Sequence, residues 1–403
     1  MITTTPSTGT PSLLRSMNGR TVLELIAADG PMSRAQIARV TGMSKPTASV
    51  TLSRLLQSGI VREAGHSTGR KGPAAVLYAL NTRAAGVVAV DLARNRIRVA
   101  VADLAGNVRA RAEEPTRARS AAGLIDHVGR LARTTARRAG TPWRSVSCCV
   151  VGTPGVVSAE TRSLLLAETL PGWSRPGVVD ALRRTLGTTV IVDNDVDLAA
   201  IAELRVGGAR DVDDFVFVSV GTGIGMGLIL GGRLYRGAHG AAGEIGYLPL
   251  GDPARTGRRQ APGRLEAAAG TEAMVRNAHD RGMPGRLSVR RIFQEARQGD
   301  RRAQRVVADE AVRVADAVAA IVPVIDPALV VLGGEIGLEA DLLLEQIERR
   351  LVEISPLQPP VVVSTLGTDA VLQGALVTAL DAAQDFVFSQ ATEPSAVAQS
   401  VRA

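Results

Sequence analysis

Aromatic side chains are nearly missing from this 403-residue chain: Phe, Trp and Tyr together make up 2% of it, against 45% hydrophobic residues in all. Its cores must therefore be filled by Ala, Val, Leu and Ile, the usual packing of helices and parallel strands, which points to an α/β fold. Lysine is equally scarce. Lys45 and Lys71 are the only two, so nearly all of the 47 basic residues are arginines; against 39 acidic residues they leave a net charge of +8. Over so long a chain that excess is diffuse, and only a local cluster of it points to a partner. Cysteine occurs twice, at Cys148 and Cys149, which excludes a disulfide framework. Adjacent in the apolar run SVSCCVVG, the two thiols should point to opposite faces of a strand and lie buried. No run of about 18 apolar residues is present. The opening MITTTPSTGTPS has neither the basic nor the apolar region of a signal peptide, so the expected location is cytoplasmic, with no membrane partner.

What is there divides into three structured parts between two tails. Residues 1–12 and 387–403 are rich in Ser, Thr and Pro or otherwise polar, and are expected to be disordered. Residues 13–80 are helical and then turn-rich; 84–195 and 196–386 each open on paired apolar strands around a turn and then alternate helix and strand, which predicts two related α/β lobes.

The first part carries a sequence of stop and start signals. A helix over Met17–Ala28, with Val22, Leu25 and Ile26 apolar, ends at Asp29-Gly30-Pro31. Ser33 then caps RAQIARVTG, whose Ala35, Ile37 and Ala38 are expected to face inward; Thr41-Gly42-Met43 is a tight turn, and Ser44 caps KPTASVTLSRLLQSG with Pro46 in its first turn. Two short helices joined by a glycine turn describe a helix-turn-helix, and the strands IVREAG and AAVLYAL around the basic tip HSTGRKGP add a wing. The implied partner is double-stranded operator DNA. Ser44, Lys45, Thr47 and Ser49 are the expected base readers at the start of the third helix, and Arg54, Arg70 and Lys71 the expected phosphate contacts.

In the remaining parts, VDNDVDLAA places Asn194 and Asp195 just after a strand, where open α/β sheets put ligand groups; Glu244 lies in the glycine-rich GAHGAAGEIGY, and Glu266 begins the helix EAAAG. Carboxylates and an amide converging on a cleft suit a polyhydroxylated ligand, because each accepts or shares hydrogen bonds with vicinal hydroxyls. The segments GTPGVVS, LPGW, VDNDVDLAA, SVGTGIGMG, GAHGAAGEIG and LGGEIG follow one another over residues 84–380. In these six the chain resembles the ROK family (repressor, open reading frame, kinase) of sugar kinases and sugar-responsive regulators, of the two-lobed actin-like ATPase fold. A winged helix ahead of that body resembles the repressor branch.

The resemblance implies effector-binding roles for Asn194, Asp195, Glu244, Tyr247 and Glu266, and nucleotide-binding roles for Gly221, Thr222, Gly223, Gly225, Gly333 and Gly334. No catalytic residue is expected; if kinase activity persists, Asp195 is its general base and ATP with Mg²⁺ its cofactors. Two departures matter. The family's structural zinc is held by a histidine and three cysteines, but here Tyr247 stands at the histidine position and 251–264 contain no cysteine, so no metal and no cofactor are expected, and Tyr247 with nearby arginines is left to order that loop. The family's kinases open the first lobe on D-x-G-x-T, whereas here Asp91 is followed by Ala93 and Arg94, whose side chains obstruct a phosphate. The expectation is a DNA-binding transcriptional regulator, a repressor, whose ROK-like body binds a sugar or sugar derivative and which works as a homodimer or higher homo-oligomer. The alternative is an ATP-dependent sugar kinase carrying a DNA-binding domain.

Overall fold

The computed structural model describes residues 11–67, 74–158, 163–167, 169–251 and 263–392. Helix α1 (Pro11–Asp29) begins inside the stretch expected as tail and buries Val22, Leu23 and Ile26. After the two-residue strand β1 (Met32–Ser33), Ser33 starts helix α2 (Arg34–Thr41) with a reciprocal cap: its hydroxyl accepts from the Gln36 amide, and the Gln36 side chain accepts from the Ser33 amide. Ile37 and Ala38 are buried on α2. Ala35, expected inward, is exposed, because it sits in the capping turn about 160° round the helix from Ile37. Gly42 stops α2 in the left-handed conformation (φ 69°), and Ser44 caps α3 (Lys45–Gln57), which buries Ala48, Leu52 and Leu55. Strands β2 (Val61–His66) and β3 (Val76–Leu80) form the wing, with β3 between β1 and β2 in an antiparallel sheet. The wing tip, with Arg70 and Lys71, lies outside the described residues.

The first lobe consists of β4 (Gly86–Leu92), β5 (Arg96–Asp103), β6 (Val108–Pro115), α4 (Ala121–Arg138), β7 (Val146–Thr153), the short pair β8 (Val156–Val157) and β9 (Leu164–Leu165), α5 (Val178–Leu186) and β10 (Thr189–Asn194). Its sheet runs β10-β7-β4-β5-β6. Helix α6 (Asp195–Arg205) then leads to the second lobe: β11 (Phe215–Val220), β12 (Ile224–Leu230), β13 (Arg233–Leu234), α7 (Arg264–Ala268), α8 (Thr271–Asp280), α9 (Val289–Arg297), α10 (Arg301–Ile325), β14 (Leu329–Gly333), α11 (Gly334–Gly337), α12 (Ala340–Ile354) and β15 (Val361–Val363). Here the sheet runs β15-β14-β11-β12-β13. In both lobes the first three strands form an antiparallel meander, and two later strands add in parallel beside the first. The two lobes therefore share one topology.

Helix α13 (Ala370–Thr392) departs from the expected division twice. It continues to Thr392, inside the stretch expected as tail, and it lies across the sheet of the first lobe rather than the second. The reason is shape. Ala89, Ala100 and Ala102 give that sheet a shallow face, onto which the helix lays Leu372, Ala375, Leu376, Ala379 and Ala383. Gly374 lets α13 cross α6 closely, since a Cβ there would stand 1.8 Å from the Leu198 carbonyl oxygen. Val22, Leu23 and Ile26 of α1 belong to the same apolar cluster, so the winged head and the first lobe share a core with α13 at its centre. The opposite face of the sheet packs on α4 and α5. Cys148 joins the first cluster and Cys149 the second, pointing to opposite faces; burial pushes the Cys148 thiol up to about 11 and Cys149 higher still, so both stay protonated and inert.

Candidate functional site

On the head, the start of α3 stands away from the core. Ser44 and Lys45 are exposed, and Thr47, Ser49 and Arg54 are half-buried. Ser44 and Thr47 have a second duty at this position. Their hydroxyls lie 2.8 Å apart in a hydrogen bond, and the Ser44 hydroxyl also accepts from the Thr47 amide at 3.2 Å, so Ser44 caps the helix and the pair keeps one O–H between them for a base.

In the body, β10 ends at Asn194 and α6 begins at Asp195, at the carboxyl end of the parallel strands. Asn194 is the helix cap: its side-chain oxygen accepts from the amides of Val196 (2.8 Å) and Asp197 (3.0 Å), and its NH₂ donates to the Gly155 carbonyl at 3.1 Å. One N–H is left for a ligand, so Asn194 is chiefly a fixed support for its neighbour. Asp195 is half-buried, and burial together with the nearby Asp91 charge raises its carboxyl to about 6. Behind it, Arg236 binds Asp193 through two bonds of 2.6 and 2.7 Å and Asp197 at 3.0 Å. Burial lifts Asp197 to about 7; Arg236 opposes that shift, whereas the charges of Asp193, Asp195 and Glu244 add to it. The expectation from sequence contained neither Arg236 nor its two carboxylates.

Glu244 precedes the 3₁₀ turn Ile245–Tyr247, at the end of a glycine-rich loop that reaches the first lobe; a Cβ on Gly240 would lie 3.3 Å from the Val157 carbonyl oxygen of β8. Glu266, in the first turn of α7, lies between this turn and the β11–β12 hairpin: its carboxylate is 3.1 Å from where a Cβ on Gly246 would stand and 3.2 Å from one on Gly223. Asp195 and Glu244 both act on Asp197, whereas Glu266 lines a pocket of the second lobe beside Thr222. The sequence left Tyr247 and arginines to order the loop in place of zinc. Tyr247 is 48% exposed, the loop arginines of 252–262 lie outside the described residues, and backbone contact adds to the packing here: a Cβ on Gly263 would stand 2.1 Å from the Gly246 carbonyl oxygen, which sets α7 directly on the turn. No cysteine lies in 251–264 and Tyr247 replaces the histidine, so this donor set does not fit zinc.

The nucleotide side of the cleft is occupied by the protein's own ion pairs. Asp91 faces Arg98 across the β4–β5 hairpin and receives two hydrogen bonds from it, 2.9 and 2.5 Å long. Both side chains are buried, and Arg98 also donates to Asp369 at 3.1 Å and to the Thr368 carbonyl, at the start of α13. Arg94, in the hairpin turn, reaches across to Glu272 of α8 at 2.7 Å. Thr222 lines an open pocket of about 500 Å³ together with Glu266, Glu272, Arg276 and Asp280. The expected phosphate glycines have packing duties: Gly225 lies on Val196 of α6, Gly221 on the Glu335 amide, Gly333 under the Phe217 ring, and Gly334 (φ 80°) against the Val220 carbonyl. Asp91 and Arg94, expected beside a phosphate, are thus engaged by Arg98 and Glu272.

A winged helix-turn-helix fused to two lobes of one topology defines a DNA-binding protein with an actin-like body. Comparison with known proteins agrees. Residues 87–382 match the model of the ROK family, and residues 20–72 match that of the MarR family. The chain belongs to the ROK family and is a DNA-binding transcriptional regulator. It is 26% identical to a putative xylose repressor of Caldicellulosiruptor sp. (strain Rt8B.4), over 85% of this chain and 88% of the relative. It is likewise 26% identical to the N-acetylglucosamine repressor of Escherichia coli O6:H1, over 84% of this chain and 86% of the relative. A solved ROK family transcriptional regulator, a homologue of the E. coli MLC protein, superimposes with a TM-score of 0.76 at 23% identity, covering 94% of this chain and 99% of its own. Among the described residues no helix is long and apolar enough to cross a membrane.

Proposed function

We propose that this regulator is a repressor whose body binds a sugar or sugar derivative between the lobes, with Asp195 as the central acceptor, Asn194 as its support, and Glu244, Tyr247 and Glu266 on the walls. The observation that carries the reading is Asp195 at the sheet's carboxyl end, beside a nucleotide side held shut by the Asp91–Arg98 pair. A carboxylate accepting from a sugar hydroxyl binds without reacting when no phosphoryl donor is present.

The signal has a physical route. Arg98 ties Asp91, beside Asp195, to the start of α13, and α13 packs along its length against α6, the first sheet and α1 of the head. Closure of the cleft on a sugar moves α13 and with it the head. In a homodimer reading two half-sites about one helical turn apart, a small rotation of each head is enough to lose one of them. The ligand shifts that balance only by its differential affinity for the two states.

The test is titration of the full-length protein with xylose, glucose, N-acetylglucosamine and related sugars by calorimetry, alongside operator binding. One sugar is expected to bind and to change operator affinity, and Asp195→Asn and Glu244→Gln to weaken it. DNA binding indifferent to every sugar would refute the sensor. A second reading, a sugar kinase, draws on Asp195 as a base lifted to about 6. Sugar-dependent ATP turnover abolished by Asp195→Asn would establish it in place of the first.

A further inference from the structure

One side chain of α3 is not accounted for by packing. Val50 is 53% exposed. At about 100° per residue it lies roughly 140–160° from Ala48, Leu52 and Leu55, so it stands in the middle of the outward face. Pro46, one turn earlier, is also exposed, with Lys45 and Ser49 beside the pair. The hydroxyls of Ser44 and Thr47 share one hydrogen bond at the cap. The outward face therefore presents an apolar patch beside the polar readers Lys45 and Ser49.

Base edges in the major groove are donors and acceptors with one apolar exception, the C5-methyl of thymine. A stiff β-branched side chain packs against that methyl at little entropic cost, whereas set against an amino or carbonyl edge it strips water from a polar group and offers no partner. We propose that Val50, backed by Pro46, is a specificity-determining residue that reads the methyl of a thymine in each half-site. The inference rests on the head's role in DNA binding and is independent of what the cleft binds.

The test begins by selecting sites for the full-length protein from a random double-stranded library. Each thymine of the selected half-site is then replaced in turn by uracil, which removes only the methyl. Burying one methyl corresponds to about a four-fold change in affinity. Expected is one thymine at which uracil weakens the wild type by about that factor, while Val50→Ala binds both sites alike and Val50→Ile still discriminates. A half-site with no uracil-sensitive thymine overturns the proposal, and so does Val50→Ala discriminating as strongly as the wild type. Binding to random DNA at low salt and an unchanged melting temperature check that the variant head is folded; Val50→Ser takes its place if Val50→Ala fails them. If the wild type selects no site at all, the DNA role of the head falls together with the role of Val50, an outcome distinct from the other two.

Discussion

Replacing Arg98 by methionine should be among the most damaging single changes in the first lobe. The Asp91 and Arg98 side chains are 5% and 8% exposed, and Arg98 gives Asp91 both of its bonds. Removing the guanidinium leaves a buried carboxylate without its counter-charge, which costs about 3–5 kcal/mol. At about 2–4 °C per kcal/mol for a unit of this size, the melting temperature should fall by on the order of 10 °C. The double variant Asp91→Leu with Arg98→Met removes both charges and keeps apolar volume, so it should recover most of the loss. Asp369 keeps Arg111 at 2.5 Å, which confines the damage to the Asp91 side. Denaturation of the wild type, both singles and the double at neutral pH completes a double-mutant cycle. If Arg98→Met lies within 1 kcal/mol of the wild type, or if the double is no better than the single, Asp91 does not depend on Arg98 and the route from cleft to α13 loses its first link.

Three further outcomes can be checked. Glu310 is fully buried under the Gly270 amide, which it accepts at 2.7 Å, and burial raises it to about 7. A carboxyl raised above its unfolded value stabilises the fold at low pH and loses that contribution as pH rises towards 7, so Glu310→Gln should flatten the fall in stability between pH 5 and 8, by up to about 3 kcal/mol, in melts across that range. Gly374→Ala drives a methyl into the Leu198 carbonyl and should cost about 1–3 kcal/mol by urea denaturation despite alanine's better helix propensity. Lys45→Ala should relax base choice, costing about 1–3 kcal/mol at the affected pairs in operator-variant titrations, whereas Arg70→Ala with Lys71→Ala should weaken all DNA alike and flatten the salt slope.

Local signals carried the head. Ser33, Gly42 and Ser44 dictate where helices start and stop whatever surrounds them, and they do so in the structure. The body was legible where periodicity and loop motifs decide, as in the strand ending at Asn194. Contacts between distant segments left less trace. That α13 crosses the first lobe follows from the fit of Gly374 and its alanines to a shallow sheet face, which no window of sequence displays. The Asp91–Arg98 pair lay closer to hand: a hairpin turning at 93–95 puts those two residues opposite each other, so counting register would have found it. Ser44 and Thr47 show the reverse limit, because residue types suited to reading bases are equally suited to capping the helix that carries them.

The shared core of head and first lobe also bears on how the protein is made. Ribosomes release α1 long before α13, yet α1 packs partly against α13 within one apolar cluster, and Arg20 meets Asp385 there. During synthesis the head waits with an apolar flank uncovered, a ready target for chaperones and proteases.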